Sequence, residues 1–235
     1  SGAGFMAIAE ASLTGGLGVC TATSGPGVVN MLNSLASAYY DQVPILAITG
    51  QVETKKIATK AKQYFDQPRV VKAFAHMSET IVHPDAVVPA LLSGIEGALS
   101  HRTPVHLDIP VDLFLAKPSQ VGAIDPFQNK NRNQKGAGAF LLGNPGQVFD
   151  TLQAFKKPVI LLGSRSPGLG SLVLKFAEKL GAGIFIPAHT RGVVDETHPL
   201  VLGTLGAGYT PAWWSEVDGI IIVGSCPYER SFLPP

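Results

Sequence analysis

The chain has 235 residues, 46% of them hydrophobic, and a formal net charge of +1 from 18 basic and 17 acidic residues. That length carries one large α/β domain or two smaller ones, each with its own core. The dispersed, nearly balanced charge excludes the electrostatic footprint of a nucleic-acid or anionic-membrane partner.

The pattern in chain order is one of alternating helices and strands. Phe5 to Leu13 reads as an alanine-rich helix stopped at Thr14-Gly15-Gly16. A strand near 17–22 follows, then a glycine loop, Thr23-Ser24-Gly25-Pro26-Gly27. A helix from Val28 comes next, with Leu32, Leu35, Ala36 and Tyr39 at helical spacing. Pro44 to Thr49 is a second buried strand, ending in Gly50-Gln51.

Residues 52–69, which carry Lys55, Lys56, Lys60 and Lys62, read as a solvated surface loop leading to Gln63-Tyr64-Phe65-Asp66. Val70 to Ile81 reads as a strand. Pro84-Asp85 opens a helix whose expected buried face is Val88, Leu91, Leu92, Ile95 and Leu99. Pro104 to Pro110 closes this half as another strand.

Between Phe114 and Asn144 the composition turns to Pro, Gly, Gln, Asn and Lys, the signature of a linker. The expected division is therefore a first domain over 1–115, a linker over 116–143 and a second domain over 144–235. In the second half a helix runs from Asn144-Pro145 to Phe155, followed by a strand Val159 to Leu162. A helix with Leu172, Phe176 and Leu180 on one face ends at Gly181. After it come a strand Ile184 to Ile186, a loop around Arg191-Gly192, a helix Pro211 to Glu216 and a strand Ile220 to Val223. The fold class expected is α/β, with two doubly wound parallel-sheet domains.

Cys20 and Cys226 lie far apart, in or beside apolar runs, which suits buried thiols in a reducing, cytosolic setting better than a disulfide framework. No basic-then-apolar leader and no membrane-length apolar run is present. Ser1 falls inside or directly before a helical pattern, so a longer natural chain is expected. The six histidines, His76, His83, His101, His106, His189 and His198, show no paired metal-ligand spacing, and Thr23-Ser24-Gly25 lacks the flanking glycines of a nucleophile elbow.

Chemistry is therefore sought in the loops at strand ends. Ser24 to Gly27 suits close backbone approach by a ligand, but also suits an empty βα turn. It lacks the lysine of a phosphate loop and the spacing of a dinucleotide fingerprint. Asn30 and Gln51 add polar amides able to converge with it. In the second half Gly163-Ser164-Arg165, Leu202-Gly203-Thr204-Leu205-Gly206 and Gly224-Ser225 suit an extended phosphate-containing ligand, or none.

These residues resemble a known family. Gly18-Val19-Cys20, Thr23 to Asn30, Asp41-Gln42-Val43-Pro44 and Ile48 to Val52 are similar to the pyrimidine-binding domain of thiamine-diphosphate-dependent enzymes, nearest to the acetolactate synthase and pyruvate oxidase groups. The similarity continues through Thr54, Ile57, Thr59 and Gln63 to Pro104 to Asp112. Gly192, His198-Pro199 and Gly203 resemble the family's central domain.

The resemblance implies decarboxylation of a 2-oxo acid, pyruvate foremost, to an enamine, followed by carboligation or oxidation. It implies that Ser24, Gly25, Pro26, Gly27, Asn30 and Gln51 serve the cofactor's pyrimidine and that Gln63 approaches the substrate. The activating glutamate is expected immediately before Ser1; Glu10 is out of register for that role. The diphosphate and its Mg2+ are expected in a third domain not matched here, so these two domains alone are expected to be inactive.

The resemblance further implies an FAD site at Gly163, Ser164, Gly203, Thr204, Leu205, Gly206, Gly224, Ser225 and Arg230. Gly163-Ser164-Arg165 replaces a more glycine-rich loop of the flavin binders, which leaves a related nucleotide or an empty site open. A homodimer or homotetramer is implied because the family's active site is shared between subunits. The competing expectation is a non-catalytic nucleotide-binding or regulatory module built on the second half.

Overall fold

Short β-branched and aliphatic runs bounded by glycine or proline form the strands, because a strand buried on both faces needs apolar side chains at every position. The computed structural model describes residues 1–119, 144–204 and 211–224, which fall into two compact units, one on each side of 120–143. Apart from 116–119, the expected linker lies outside the described residues.

The first unit runs α1 (Gly2–Thr14), β1 (Gly18–Ala22), α2 (Pro26–Tyr40), β2 (Ile45–Gln51), α3 (Gln67–Val71), β3 (Met77–Thr80), α4 (Val87–His101) and β4 (Pro104–Pro110). Its sheet has four parallel strands in the order β1-β2-β4-β3. β4 is buried at every position, whereas the edge strand β1 alternates. One sheet face packs Cys20, Ile45 and Ala47 with Val28, Met31 and Leu35 of α2; the other packs Leu46, Val105 and Leu107 with Ala98 of α4. α1 stops because Gly15 takes a left-handed conformation, φ 69°. The Cys20 thiol sits in this core, and burial pushes its pKa up to about 11, so it stays protonated and unreactive.

The second unit runs α5 (Pro145–Ala154), β5 (Pro158–Leu162), α6 (Gly170–Leu180), β6 (Gly183–Phe185), β7 (Val201–Gly203) and β8 (Gly219–Val223). Its four parallel strands lie in the order β7-β6-β5-β8. Ile160 and Leu162 face α6, while Val159 and Leu161 pack with Phe185 and Trp214 on the opposite face. α5 begins where expected, with the Asn144 side chain accepting from the Gly146 amide at 2.9 Å. Cys226 lies outside the described residues.

Several expectations need correction. The expected strand Val70 to Ile81 is a strand only over Met77–Thr80. The chain before it is helical because Asp66 caps α3, accepting from the Arg69 amide at 3.1 Å, with Pro68 in the first turn. The loop of 52–69 is not all surface: it contains a 3-10 turn at Thr54–Lys56, and Gln67 is completely buried. In α2 the buried set is Val28, Met31, Ser34, Leu35 and Ala38, with Tyr39 partly exposed. In α4 and α6 the innermost positions are Gly94, Ala98, Val173 and Ala177, while Leu92 and Leu172 point to solvent. Small residues win there because they let a helix approach the sheet closely. The Pro211 to Glu216 segment is a 3-10 turn over Ala212–Glu216 rather than a full helix.

Candidate cofactor site

The C-terminal ends of β1 and β2 lie side by side, with Ala22 opposite Thr49 in the register. This brings two glycine-bearing loops together. A Cβ built on Gly50 would meet nothing nearer than the Ser24 amide nitrogen, at 3.8 Å. Gly25 caps α2 with φ 71°, and neither a side-chain cap nor an acid occupies that helix's first turn.

Gln63 is brought to the same place: a Cβ on Gly25 would lie 2.9 Å from the Gln63 Cβ. Gln63 itself holds φ 68°, a left-handed conformation uncommon for a residue with a side chain. Two left-handed residues therefore face each other across the loop, one of them necessarily glycine. Pro26 and Asn30 follow on the exposed side of α2. Gly25→Ala is expected to destabilise the chain by about 1–2 kcal/mol from backbone strain alone and to push Gln63 off the loop, which urea denaturation and ligand titration of the variant would reveal.

Beneath these loops lies a polar network of which the sequence singled out Gln51 alone. Thr49, Asp108 and Thr80 form one row across β2, β4 and β3, and Ala47, His106 and Ser78 form another on the same face. Asp108 is fully buried and accepts four hydrogen bonds. Thr49 Oγ1 donates to Oδ1 at 2.9 Å and Gln67 Nε2 to Oδ1 at 2.5 Å; Gln51 Nε2 and Thr80 Oγ1 each donate to Oδ2 at 3.0 Å. Burial raises the Asp108 carboxyl above the usual carboxylate range, and the four donors oppose that rise.

His106, also fully buried, contacts Thr49 Oγ1 through Nε2 at 2.7 Å and Ser78 Oγ through Nδ1 at 2.8 Å. Burial drives its imidazole down to about 4, so it is neutral at neutral pH. Thr49 gives its single hydrogen to Asp108 and therefore accepts from Nε2–H, which leaves Nδ1 to accept from Ser78. The Gln51 side chain belongs to this network: its amide nitrogen also donates to Phe65 O at 3.3 Å and its oxygen accepts from the Val52 amide at 2.9 Å. Gln51 thus sits at the strand end named from sequence, with its amide engaged within the chain.

In the second unit the reversal of strand order falls at β5, between β6 and β8, where open α/β sheets form their ligand crevice. Gly163 follows β5 and Gly224 follows β8, and the two loops touch. The Gly163 amide donates to Val223 O at 2.8 Å, and a Cβ on Gly224 would lie 2.6 Å from the Ser166 nitrogen. Ser164 is buried beside them. Gly203 ends β7 with φ 114° and is separated from β5 by β6, with Thr204 following it. The structure therefore unites Gly163, Ser164 and Gly224 but not Gly203. Leu205, Gly206, Ser225 and Arg230 lie outside the described residues.

Residues 1–70 match the family described as thiamine pyrophosphate enzyme, N-terminal TPP binding domain, and residues 146–231 match the one described as thiamine pyrophosphate enzyme, central domain. The chain is 32% identical over 235 residues to an acetolactate synthase of Arthrospira platensis, covering 95% of this chain and 40% of that protein. It is 33% identical over 232 residues to the acetolactate synthase isozyme 2 large subunit of Escherichia coli, covering 95% and 41%. The chain thus spans about 40% of the length of these relatives. Its fold is also that of the thiamine diphosphate-dependent 4-hydroxybenzoylformate decarboxylase of Rhodococcus jostii, with a TM-score of 0.77 at 22% identity over 94% of this chain and 42% of that one. Among the described residues no group of three His, Cys, Asp or Glu could hold a metal ion, and no helix is long and apolar enough to cross a membrane.

Proposed function

Because the chain belongs to the thiamine pyrophosphate enzyme family, through that family's N-terminal and central domains, we propose that it forms the pyrimidine-holding and central parts of an enzyme that decarboxylates pyruvate or a similar 2-oxo acid and joins the remaining two-carbon unit to a second 2-oxo acid. The observation that carries this reading is the convergence of the Ser24-Gly25 loop, Gly50 and Gln63 at the ends of β1 and β2, inside the matched N-terminal domain. The relatives named acetolactate synthase favour carboligation over oxidation.

The residues present fit the flat pyrimidine ring of thiamine diphosphate. Gly50 leaves backbone where a side chain would stand, while the space beside Gly25 is taken by Gln63; Ser24, Gly25, Pro26 and Gly27 would line one side of the ring, with Asn30 a polar amide on α2 and Gln51 a fixed strand end. When bound, the cofactor would supply a carbon acid whose conjugate base is a nucleophile and an electron sink for the pair released with carbon dioxide. The chain's part is to orient. The Gly25 and Gly50 backbones fix the ring's plane, and Gln63, set by its packing on Gly25, presents an uncharged amide to the substrate carboxylate or carbonyl.

Magnesium would be held with the diphosphate by other parts of the full-length protein. An FAD or related nucleotide would lie at the β5/β8 crevice against Gly163, Ser164 and Gly224, with Gly203, Thr204, Leu205, Gly206, Ser225 and Arg230 as further contacts. A homodimer or homotetramer is part of the proposal, supported by Met6, Leu13, Val29 and Tyr40, which α1 and α2 leave exposed.

The full-length protein is expected to consume pyruvate only with thiamine diphosphate and magnesium, and to release acetolactate. Turnover without thiamine diphosphate would overturn the reading. Acetate or acetyl phosphate as product, with a bound-flavin spectrum, would replace the synthase assignment with an oxidase one.

A further inference from the structure

α3 starts with Gln67, which has no exposed surface. Its side chain reaches three separate parts of the chain. Gln67 Oε1 accepts from the Gly25 amide at 2.7 Å, and Nε2 donates to Gly50 O at 2.9 Å and to Asp108 Oδ1 at 2.5 Å. The arrangement fixes which end of the amide is which, because one neighbour is a donor and the other two are acceptors.

Gly25 follows Ser24, whose amide nitrogen is the nearest atom to a Cβ on Gly50, and Gln67 is the side chain that joins the two glycines at the proposed ring site. Asp108, held by Thr49, Gln51 and Thr80, anchors the third corner. We infer that Gln67, braced by Asp108, is a positioning residue for the cofactor: it sets the separation between the Gly25 loop and the Gly50 end of β2, and through Gly25 it sets the place of Gln63. This rests on the thiamine diphosphate reading above.

Packing alone does not call for an amide here, since an apolar side chain on a short helix that already buries Val71 would fill the space. It would leave the Gly25 amide, the Gly50 carbonyl and Asp108 Oδ1 without this partner, a stability cost that comparison with a packing variant of the same helix separates from positioning. What an apolar side chain would not do is hold a loop amide and a strand-end carbonyl at a fixed distance. A loop about one ångström out of place is enough to impair recognition of a rigid ring.

The test uses the full-length protein and calorimetric titration with thiamine diphosphate and magnesium. Gln67→Leu is expected to bind the cofactor about tenfold more weakly, the loss corresponding to one or two net hydrogen bonds. Without cofactor, amide exchange in the peptide spanning Gly25 should quicken by a similar factor. Val71→Ala removes packing from the same helix without touching either glycine; it should lower the melting temperature while leaving cofactor affinity within about twofold of wild type. If Gln67→Leu does not fold, Gln67→Asn, which keeps the amide but is one methylene too short to span the three partners, is judged by the same criteria.

Affinity of the Gln67 variant within twofold of wild type overturns the inference alone. So does an equal loss of affinity in Val71→Ala, which would reduce Gln67 to a stability residue. A wild-type protein that binds no thiamine diphosphate overturns the functional reading and this inference with it.

Discussion

Asp108→Ala is expected to lower the stability of the full-length protein by about 3–5 kcal/mol, read as a shift in the midpoint of urea denaturation. The carboxylate accepts from Thr49, Gln51, Gln67 and Thr80, which come from β2, α3 and β3. Alanine leaves Thr49 and one N–H each of Gln51 and Gln67 facing a buried void, although the two amides keep their bonds to Phe65 O and Gly50 O, and each unpaired buried donor costs about 1–3 kcal/mol before relaxation. Relaxation and entry of a water reduce the sum, which is why the expectation lies below the simple total.

Asp108→Asn separates charge from hydrogen bonding. The amide keeps one acceptor for Thr49 and Gln67 but turns a donor toward the Gln51 amide nitrogen, so its loss should fall short of alanine's. Because burial disfavours the native carboxylate, removing the charge returns part of that cost. An alanine variant that loses less than about 1 kcal/mol would show that the network is solvated and that the row of Thr49, Asp108 and Thr80 does not brace the sheet.

How much of this could be read in the sequence differs between strands, helices and site. Most strands of the two sheets are legible, because Gly18–Ala22, Ile45–Gln51, Pro104–Pro110, Pro158–Leu162 and Gly219–Val223 are largely apolar runs punctuated by glycine or proline, whereas the three-residue Val201–Gly203 is too short to stand out. Val70 to Phe74 misleads because two valines and a phenylalanine score as strand, whereas the decisive signal is upstream: Asp66 followed by Pro68 starts a helix. The faces of α4 and α6 are misphased for a related reason. Periodicity weighs large side chains, yet Gly94, Ala98, Val173 and Ala177 occupy the closest contacts.

The glycine loops are legible as a site because position at a strand's end is a property of local sequence. The network under them is not, since it exists only once three strands distant in sequence adopt their register. A faint signal was available. His106 and Asp108, Thr49 and Gln51, and Ser78 and Thr80 are polar pairs two residues apart, a spacing that puts each pair on one face of its strand. Gln67 had no such signal, being one polar residue in a polar segment.

Stability should fall as the pH drops from about 6.5 to 4, and His106→Gln should flatten that fall. Burial holds the native imidazole at about 4 against an ordinary value of 6.5. Between those values the unfolded chain takes up a proton that the folded chain refuses. Stability from this group is therefore complete above 6.5 and is lost as the pH falls toward 4, at up to about 1.4 kcal/mol per pH unit and roughly 3 kcal/mol in all.

Asp108 acts with the opposite sign. Its raised native pKa means that the folded state takes up that proton first, so the carboxyl adds stability as the pH falls through the same acidic region and partly masks the histidine. The two groups meet at Thr49 Oγ1, at 2.7 Å from His106 Nε2 and 2.9 Å from Asp108 Oδ1. The incoming proton on His106 must settle on Nδ1, because Nε2–H already faces Thr49. Ser78 can admit it by turning its hydrogen to Pro68 O, 3.1 Å away, on the helix that carries Gln67. Denaturation midpoints measured from pH 7.5 to 4 for wild type and His106→Gln should therefore converge toward acid, since exposed carboxylates contribute equally to both. Parallel curves would show that His106 is reached by water in the folded chain and would remove the imidazole from the dry network beneath the glycine loops.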